Sequence, residues 1–107
     1  MAIDMAVYVD RLTDWGWRHG LSCHLIADSV SELMEFAVSI GLRPEWFQPK
    51  SSPHFDLTSQ KRSEAVKHGA IELGRRDFVQ KLRDQRARRE SLAEIAGSIS
   101  AKNRGPR

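Results

Sequence analysis

The sequence predicts a small single-domain α/β layered fold: a short mixed or partly parallel sheet of three to four strands, flanking helices, and a basic C-terminal helix. Three observations predict it. Short β-branched or aromatic runs recur at residues 6–9, 21–27 and 70–73. Between them lie stretches with apolar residues three and four apart, opened by Ser or Thr and closed by Gly. The 107 residues suffice for one modest core and not two.

Residues 6–9, "AVYV", read as a strand whose alternation puts Val7 and Val9 on one face and Ala6, Tyr8 and Asp10 on the other. Residues 11–20, "RLTDWGWRHG", break both periodicities and read as a loop. Its Trp15 and Trp17 either cap the core or line a pocket, and capping is the expected role, because exposed tryptophan is costly. "LSCHLIA", residues 21–27, is a second strand, with Leu21, Cys23, Leu25 and Ala27 on one face and Ser22, His24, Ile26 and Asp28 on the other. The first two strands pair antiparallel if the Trp loop closes a hairpin.

Asp28 or Ser29 caps the next helix, and Ser29 with Glu32 fits a capping box. Val30, Leu33, Met34, Ala37, Val38 and Ile40 follow at helical spacing, and Gly41 stops the run. In "LRPEWFQPK" two prolines bracket Trp46–Phe47, a turn of helix or an edge strand. Thr58 caps a helix that runs to about His68, with Ala65 and Val66 inward and Gly69 at its end. "AIEL" is a short strand, and residues 75–90 form a basic helix with Phe78, Val79 and Leu82 as its buried stripe. Ser91 and Glu94 offer a second capping box before Leu92, Ile95 and Ile99, and the final "AKNRGPR" is expected to be disordered. The domain boundary is therefore set at residues 1–85 for the α/β unit and 86–107 for a basic arm and tail.

Charge is divided unevenly. Residues 1–74 hold 7 Lys+Arg against 10 Asp+Glu, whereas residues 75–107 hold 10 against 4. A basic arm on an acidic-to-neutral body suits a polyanion such as nucleic acid, or is simply a solvated helix face. No apolar run approaches the roughly 20 residues needed to span a bilayer. Residues 1–9 lack the basic cluster of a signal peptide, and one cysteine, Cys23, forms no internal disulfide, so a reducing cytoplasm is the expected setting.

The residues with chemistry in them are Asp10, His24, Asp28, His54 and Asp56. Asp10 and Asp28 fall at carboxyl ends of predicted strands, where open α/β sheets gather ligands. His54 and Asp56 flank an aromatic in "SSPHFDLTSQKR", and an extended backbone there projects both to one side. Histidines and carboxylates converging in a cleft share general acid/base work or hold a divalent metal; His24, His54 and Asp56 are the metal-ligand candidates, although no CxxC pair or HExxH supports them. Taken singly, each residue has a plain structural role: a satisfied buried histidine, an N-cap, a loop turn. Cys23 and His24 point to opposite faces, so the thiol reads as core.

The same stretch carries Lys61 and Arg62 in the first turn of a helix, the end that repels cations. Thr58, Lys61 and Arg62 become a favourable corner if a phosphate sits there, or if a carboxylate such as Asp56 does. Arg11 and Arg18 of the Trp loop add further positive charge.

The ordered motifs "MAVYVDRLTDWGWRHG", "SCHLIADS", "SELMEFAVSIGL", "WFQ", "PHFDLT" and "GAIEL" resemble the domain of unknown function 4031, a family of bacterial and phage proteins, over roughly residues 5–80. The resemblance implies Met5 as the equivalent of the family's usual start. Its motifs fall on Tyr8, Asp10, Cys23, His24, Asp28, His54, Asp56 and Arg62, and it implies no reaction.

Three readings stand on these residues. One is an enzyme, such as a hydrolase, acting on a phosphate-containing substrate, a nucleotide or nucleic acid, through Asp10, His24, His54 and Asp56. The second is a non-catalytic nucleotide- or nucleic-acid-binding module. The third is a homo-oligomeric assembly protein joined through Leu92, Ile95 and Ile99.

Overall fold

A computed structural model describes residues 6–103 apart from Trp17, His19, Lys50 and Ser51, with side chains in the last helix described as far as Glu94. The elements are β1 (Val7–Val9), β2 (Ser22–Ala27), α1 (Val30–Ser39), a 3-10 turn at Pro44–Trp46, β3 (Phe55–Thr58), α2 (Ser59–Lys67), β4 (Ile71–Glu72) and α3 (Arg75–Asn103). They form an α/β fold around one four-stranded mixed sheet in the order β3-β2-β1-β4. β1 and β3 both run antiparallel to β2, and only β1 and β4 are parallel. The Trp loop does close a hairpin: Thr13 and Ser22 exchange backbone hydrogen bonds of 2.9 and 3.0 Å beyond the end of β1.

The sheet is covered unequally. On one face Val7, Val9, Cys23, Leu25, Phe55 and Leu57 pack with the inner sides of α1 and α2, forming the main core. Burying a side chain of this size contributes about 1.5–3 kcal/mol. On the other face Tyr8 and Ile26 meet Phe78 of α3, with Leu82 and Leu73 beside them. The alternation read from the sequence in both central strands is thus the division between these two layers.

Ser29 is the N-cap of α1, its hydroxyl accepting from Glu32 N at 3.1 Å. The capping box is only half of the expected one. Glu32 accepts from the Ser29 hydroxyl and from the backbone N–H of Ala6, so it ties the helix to β1 instead of bonding Ser29 N. Gly41 follows at φ +82°, the left-handed conformation that ends a helix at little cost only for glycine. Trp46 ends a 3-10 turn over Pro44–Trp46, with Phe47 its extended C-cap, because Pro44 supplies a fixed φ at the start.

Three expectations for the C-terminal third are corrected. Residues 75–90 and 91–103 are one helix, since no helix breaker separates them and Ser91 continues the run. Residues 101–103 of the tail are helical, and 104–107 lie outside the described residues. Val79 is not part of the buried stripe; Gln85 takes that place, buried, with its amide donating to the carbonyl of Ala27. Leu92 is exposed, and the side chains of Ile95 and Ile99 lie outside the described residues. Among the described residues no helix is long and apolar enough to cross a membrane.

Candidate functional site

The second face of the sheet carries a cluster set by strand register. In the β2–β3 ladder His24 stands opposite Asp56. Both side chains must therefore project to one side, next to one another. β1 ends beside them, with Asp10 following Val9, and the hairpin brings Asp10 level with His24. Gln48 and His54 pair through mutual backbone hydrogen bonds of 2.9 and 3.0 Å, which places His54 on the same side.

Each imidazole is held by one nitrogen. Asp10 accepts from His24 Nδ1 at 2.9 Å through one oxygen and from the His24 backbone N–H at 2.7 Å through the other. The His54 Nδ1 donates to the carbonyl oxygen of Ser52 at 2.7 Å. A carbonyl and an ionised carboxylate only accept, so both rings carry their Nδ1 proton and turn Nε2 inward. There the Nε2 atoms of His24 and His54 lie 3.9 and 3.6 Å from the same oxygen, Asp56 Oδ1. The other oxygen of Asp56 accepts from the Gln48 amide. The rings are edge-on at 5.5 Å between centroids.

The electrostatics follow from these contacts. The hydrogen bond from Asp10 is the largest effect on His24. With the attraction of the Asp10 and Asp56 carboxylates it outweighs the opposing effect of burial, and the His24 pKa is raised. On the other face, burial above all pushes the Cys23 thiol up to about 12, with Asp10 adding to the rise. Such a thiol is inert at neutral pH.

The three inward donors, one each from His24, His54 and Asp56, lie within 4.8 Å of one another. A tetrahedral cation with bonds of ~2.1 Å spans donors ~3.4 Å apart; the two histidine–aspartate distances of 3.9 and 3.6 Å lie near that value, and the two imidazole nitrogens, within 4.8 Å of one another, would close toward each other to seat one. Three protein donors leave a coordination position for water or substrate, as in catalytic and not structural sites. Asp10 and the Ser52 carbonyl occupy the outer positions from which such partners would orient ligand histidines.

Two clefts share His24, Phe78 and Leu82. One, of about 330 Å³, adds Asp10, Arg11, Trp15 and Arg75; the other, of about 260 Å³, adds His54, Ser52 and Arg86. Trp15 is 58% exposed, and its ring lies 5.7 Å from that of His24. It lines a cleft and does not cap the core, because the hairpin carries it past the end of the sheet to the side where α3 has begun. Trp17 lies outside the described residues.

The remaining expected residues are placed as follows. Asp28 is not with the cluster. Since β1 and β2 are antiparallel, their carboxyl ends lie at opposite ends of the sheet, and the parallel-sheet rule that grouped Asp10 with Asp28 does not apply. Asp28 is not an N-cap either; it accepts from the Tyr8 hydroxyl at 3.2 Å and faces Lys81 at 3.6 Å. Thr58 caps α2, accepting from Lys61 N at 3.2 Å. Lys61 Nζ donates to the Ile40 carbonyl at 2.8 Å and pairs with Glu64 at 3.1 Å, so it closes the end of α1. Arg62 donates from Nε to the Asp10 carbonyl at 2.9 Å and pairs with Glu72 at 3.0 Å. Internal partners thus offset the placement of these two cations at a helix start, and neither partner is Asp56. Arg11 and Arg18 are exposed.

Sequence reasoning missed Gln48, Ser52 and the arginines of α3 that border the centre, Arg75 and Arg86. The signal for Gln48 was available: "WFQ" and "PHFD" flank a Pro-bounded loop and pair across it.

Together the fold and the centre define a class: a small α/β protein with a histidine–carboxylate cluster on the face of a mixed sheet that α3 covers in part. The chain belongs to the family described as protein of unknown function (DUF4031), whose model matches residues 7–85. No curated protein and no solved structure matches it.

Proposed function

We propose that this protein is a metal-dependent hydrolase of a phosphate-containing substrate, with His24, His54 and Asp56 holding one divalent cation. The observation that carries the reading is the tautomer lock: Asp10 and the Ser52 carbonyl each accept a hydrogen bond from Nδ1–H, which leaves two Nε2 lone pairs aimed at one carboxylate oxygen. Such a cation supplies a polarised phosphoryl oxygen and a more acidic bound water. Asp10 holds His24 in register, and Gln48 holds the free oxygen of Asp56. Arg11, Arg75 and Arg86 border the two clefts, and they suit the negative charge of a phosphate. In the net reaction water adds to phosphorus, the ester P–O bond breaks, and a water proton ends on the leaving oxygen. The lone, buried Cys23 fits a reducing, cytoplasmic setting.

The test is metal content after purification in zinc- and manganese-supplemented medium, with hydrolysis of bis(p-nitrophenyl) phosphate measured before and after chelation. One equivalent of metal that is lost in His54→Ala, together with chelator-sensitive turnover, supports the reading. A protein that binds neither ion at micromolar concentration refutes it.

The charge of α3 favours a second reading, in which residues 75–107 bind nucleic acid without chemistry. Affinity for single-stranded DNA that falls steeply with salt and is lost in Arg83→Glu/Arg86→Glu, with the metal retained, selects it.

A further inference from the structure

A cavity larger than either cleft at His24 shares Asp56 with the histidine cluster. It holds about 690 Å³, against about 330 and 260 Å³ for the clefts at His24. This is the size of a small-molecule site. Its aromatic wall is Trp46 and Phe47. Phe47 packs on the fully buried Phe55 at 5.7 Å between ring centroids, so the wall is anchored in the core. Trp46 is 49% exposed, with the Arg43 guanidinium 5.7 Å from its ring centroid.

The polar lining narrows the ligand. Among the described lining residues Glu45 and Asp56 are the acidic groups and Lys61 is the cation, already engaged by Ile40 and Glu64. Among the described residues the two carboxylates are matched by Lys61 and by Arg43 over Trp46, so the cavity carries no excess of positive charge for a phosphate. Gln48 and Gln60 present amides. The Gln48 amide nitrogen already donates to Asp56, so the Gln48 carbonyl oxygen and the Gln60 amide are the neutral acceptor and donor groups at the rim. A neutral, planar heterocycle with donors and acceptors on its edge meets both demands, stacking on the aromatic wall and bonding at the rim. Asp56 belongs to the cavity and to the histidine cluster at once.

We infer that the Trp46–Phe47 cavity is a nucleobase subsite, so the substrate is a nucleotide or a nucleotide-bearing phosphodiester. The base lies in the cavity, and the phosphate reaches across Asp56 to His24 and His54. The phosphate half rests on the function proposed above; the base half rests on the cavity alone.

Calorimetric titration with adenosine, AMP, ribose 5-phosphate and a single-stranded oligoadenylate separates the two halves. AMP is expected to bind about tenfold or more tightly than ribose 5-phosphate, the discrimination typical of one base–aromatic stack. Trp46→Ala should abolish that difference and Trp46→Phe should keep part of it, with unchanged circular dichroism in both. Adenosine binding that persists in chelator and depends on Trp46 supports the cavity assignment even if the metal reading fails. Tighter binding of the oligoadenylate than of AMP identifies the source of the base as a nucleic-acid strand, and equal binding a free nucleotide. Equal affinity for AMP and ribose 5-phosphate, no binding of either, or a base preference that survives Trp46→Ala overturns the inference.

Discussion

Asp10→Asn is the sharpest probe of the centre, because it changes one atom type and almost no volume. In the native protein both Asp10 oxygens accept from His24, one from Nδ1 and one from the backbone N–H. Asparagine keeps an acceptor for the backbone bond, but its NH₂ group cannot accept from Nδ1–H. The imidazole then moves its proton to Nε2, accepts at Nδ1 from the new amide, and points N–H, not a lone pair, at Asp56. Loss of an outer partner of this kind lowers metal affinity by ~10–100-fold. At 25 °C that is ~1.4–2.7 kcal/mol. The metal-free chain loses one charge-assisted bond, and with His24 about one-third exposed a cost of ~1–2 kcal/mol is expected. For a domain of this size each kcal/mol lowers Tm by ~4–8 °C.

The metal-free effect has a pH signature. The folded pKa of His24 lies above its unfolded value, chiefly through the Asp10 hydrogen bond. That stabilisation is fully present below the unfolded value, about 6.5, and it is lost as pH rises through the folded pKa. The stability gap between wild type and Asp10→Asn, measured by urea denaturation in chelator, should therefore be widest near pH 5–6 and narrow above it. Zinc titration by calorimetry at fixed pH reads the affinity. An Asp10→Asn protein that binds zinc as tightly as wild type would refute the argument that Asp10 sets the His24 tautomer.

Arg62→Met should destabilise the chain by ~1–3 kcal/mol in urea denaturation, since it removes the bond to the Asp10 carbonyl and the pair with Glu72. Retained stability there would show that Arg62 does not fix Asp10. Phe78→Ala should cost ~3–5 kcal/mol and loosen α3 from the sheet, visible as faster amide exchange in residues 75–85. Cys23, fully buried and with its thiol pushed up to about 12, should not react with a disulfide reagent at pH 8 until the protein is unfolded. Rapid labelling of the native protein would contradict the assigned orientation of β2.

Most of the fold was legible because its signals are local. Alternation in "AVYV" and "SCHLIA", the Ser29 and Thr58 caps and the stops at Gly41 and Gly69 depend on near neighbours. The C-terminal break was misread for the same reason: a capping-box pattern at Ser91 and Glu94 is only a permission to start a helix, and a preceding helix with no breaker overrides it. That His54 and Asp56 share a side followed from parity once the segment was taken as extended; their convergence with His24 and Asp10 did not, because the pairing of Phe55–Thr58 with β2 and the order β3-β2-β1-β4 are long-range. The detail of the site was not legible either. That Asp10 holds the His24 Nδ1, and that Lys61 and Arg62 serve the end of α1 and the carbonyl of Asp10, depend on contacts between residues 14–52 positions apart. The role of Trp15 turned on which end of the sheet α3 occupies, and no local pattern carries that.

The parity of β2 has a consequence for anyone surveying variants of this chain. Cys23, Leu25 and Ala27 face the main core, while Ser22, His24 and Ile26 face the side where the cluster lies. A slip of one residue against β3 would exchange the two sets, pressing an imidazole into hydrocarbon and setting a thiol among carboxylates. The strand therefore sorts damage by odd and even position: Cys23→Asp would show as lost soluble yield, and His24→Ala as a well-folded product with an altered metal content.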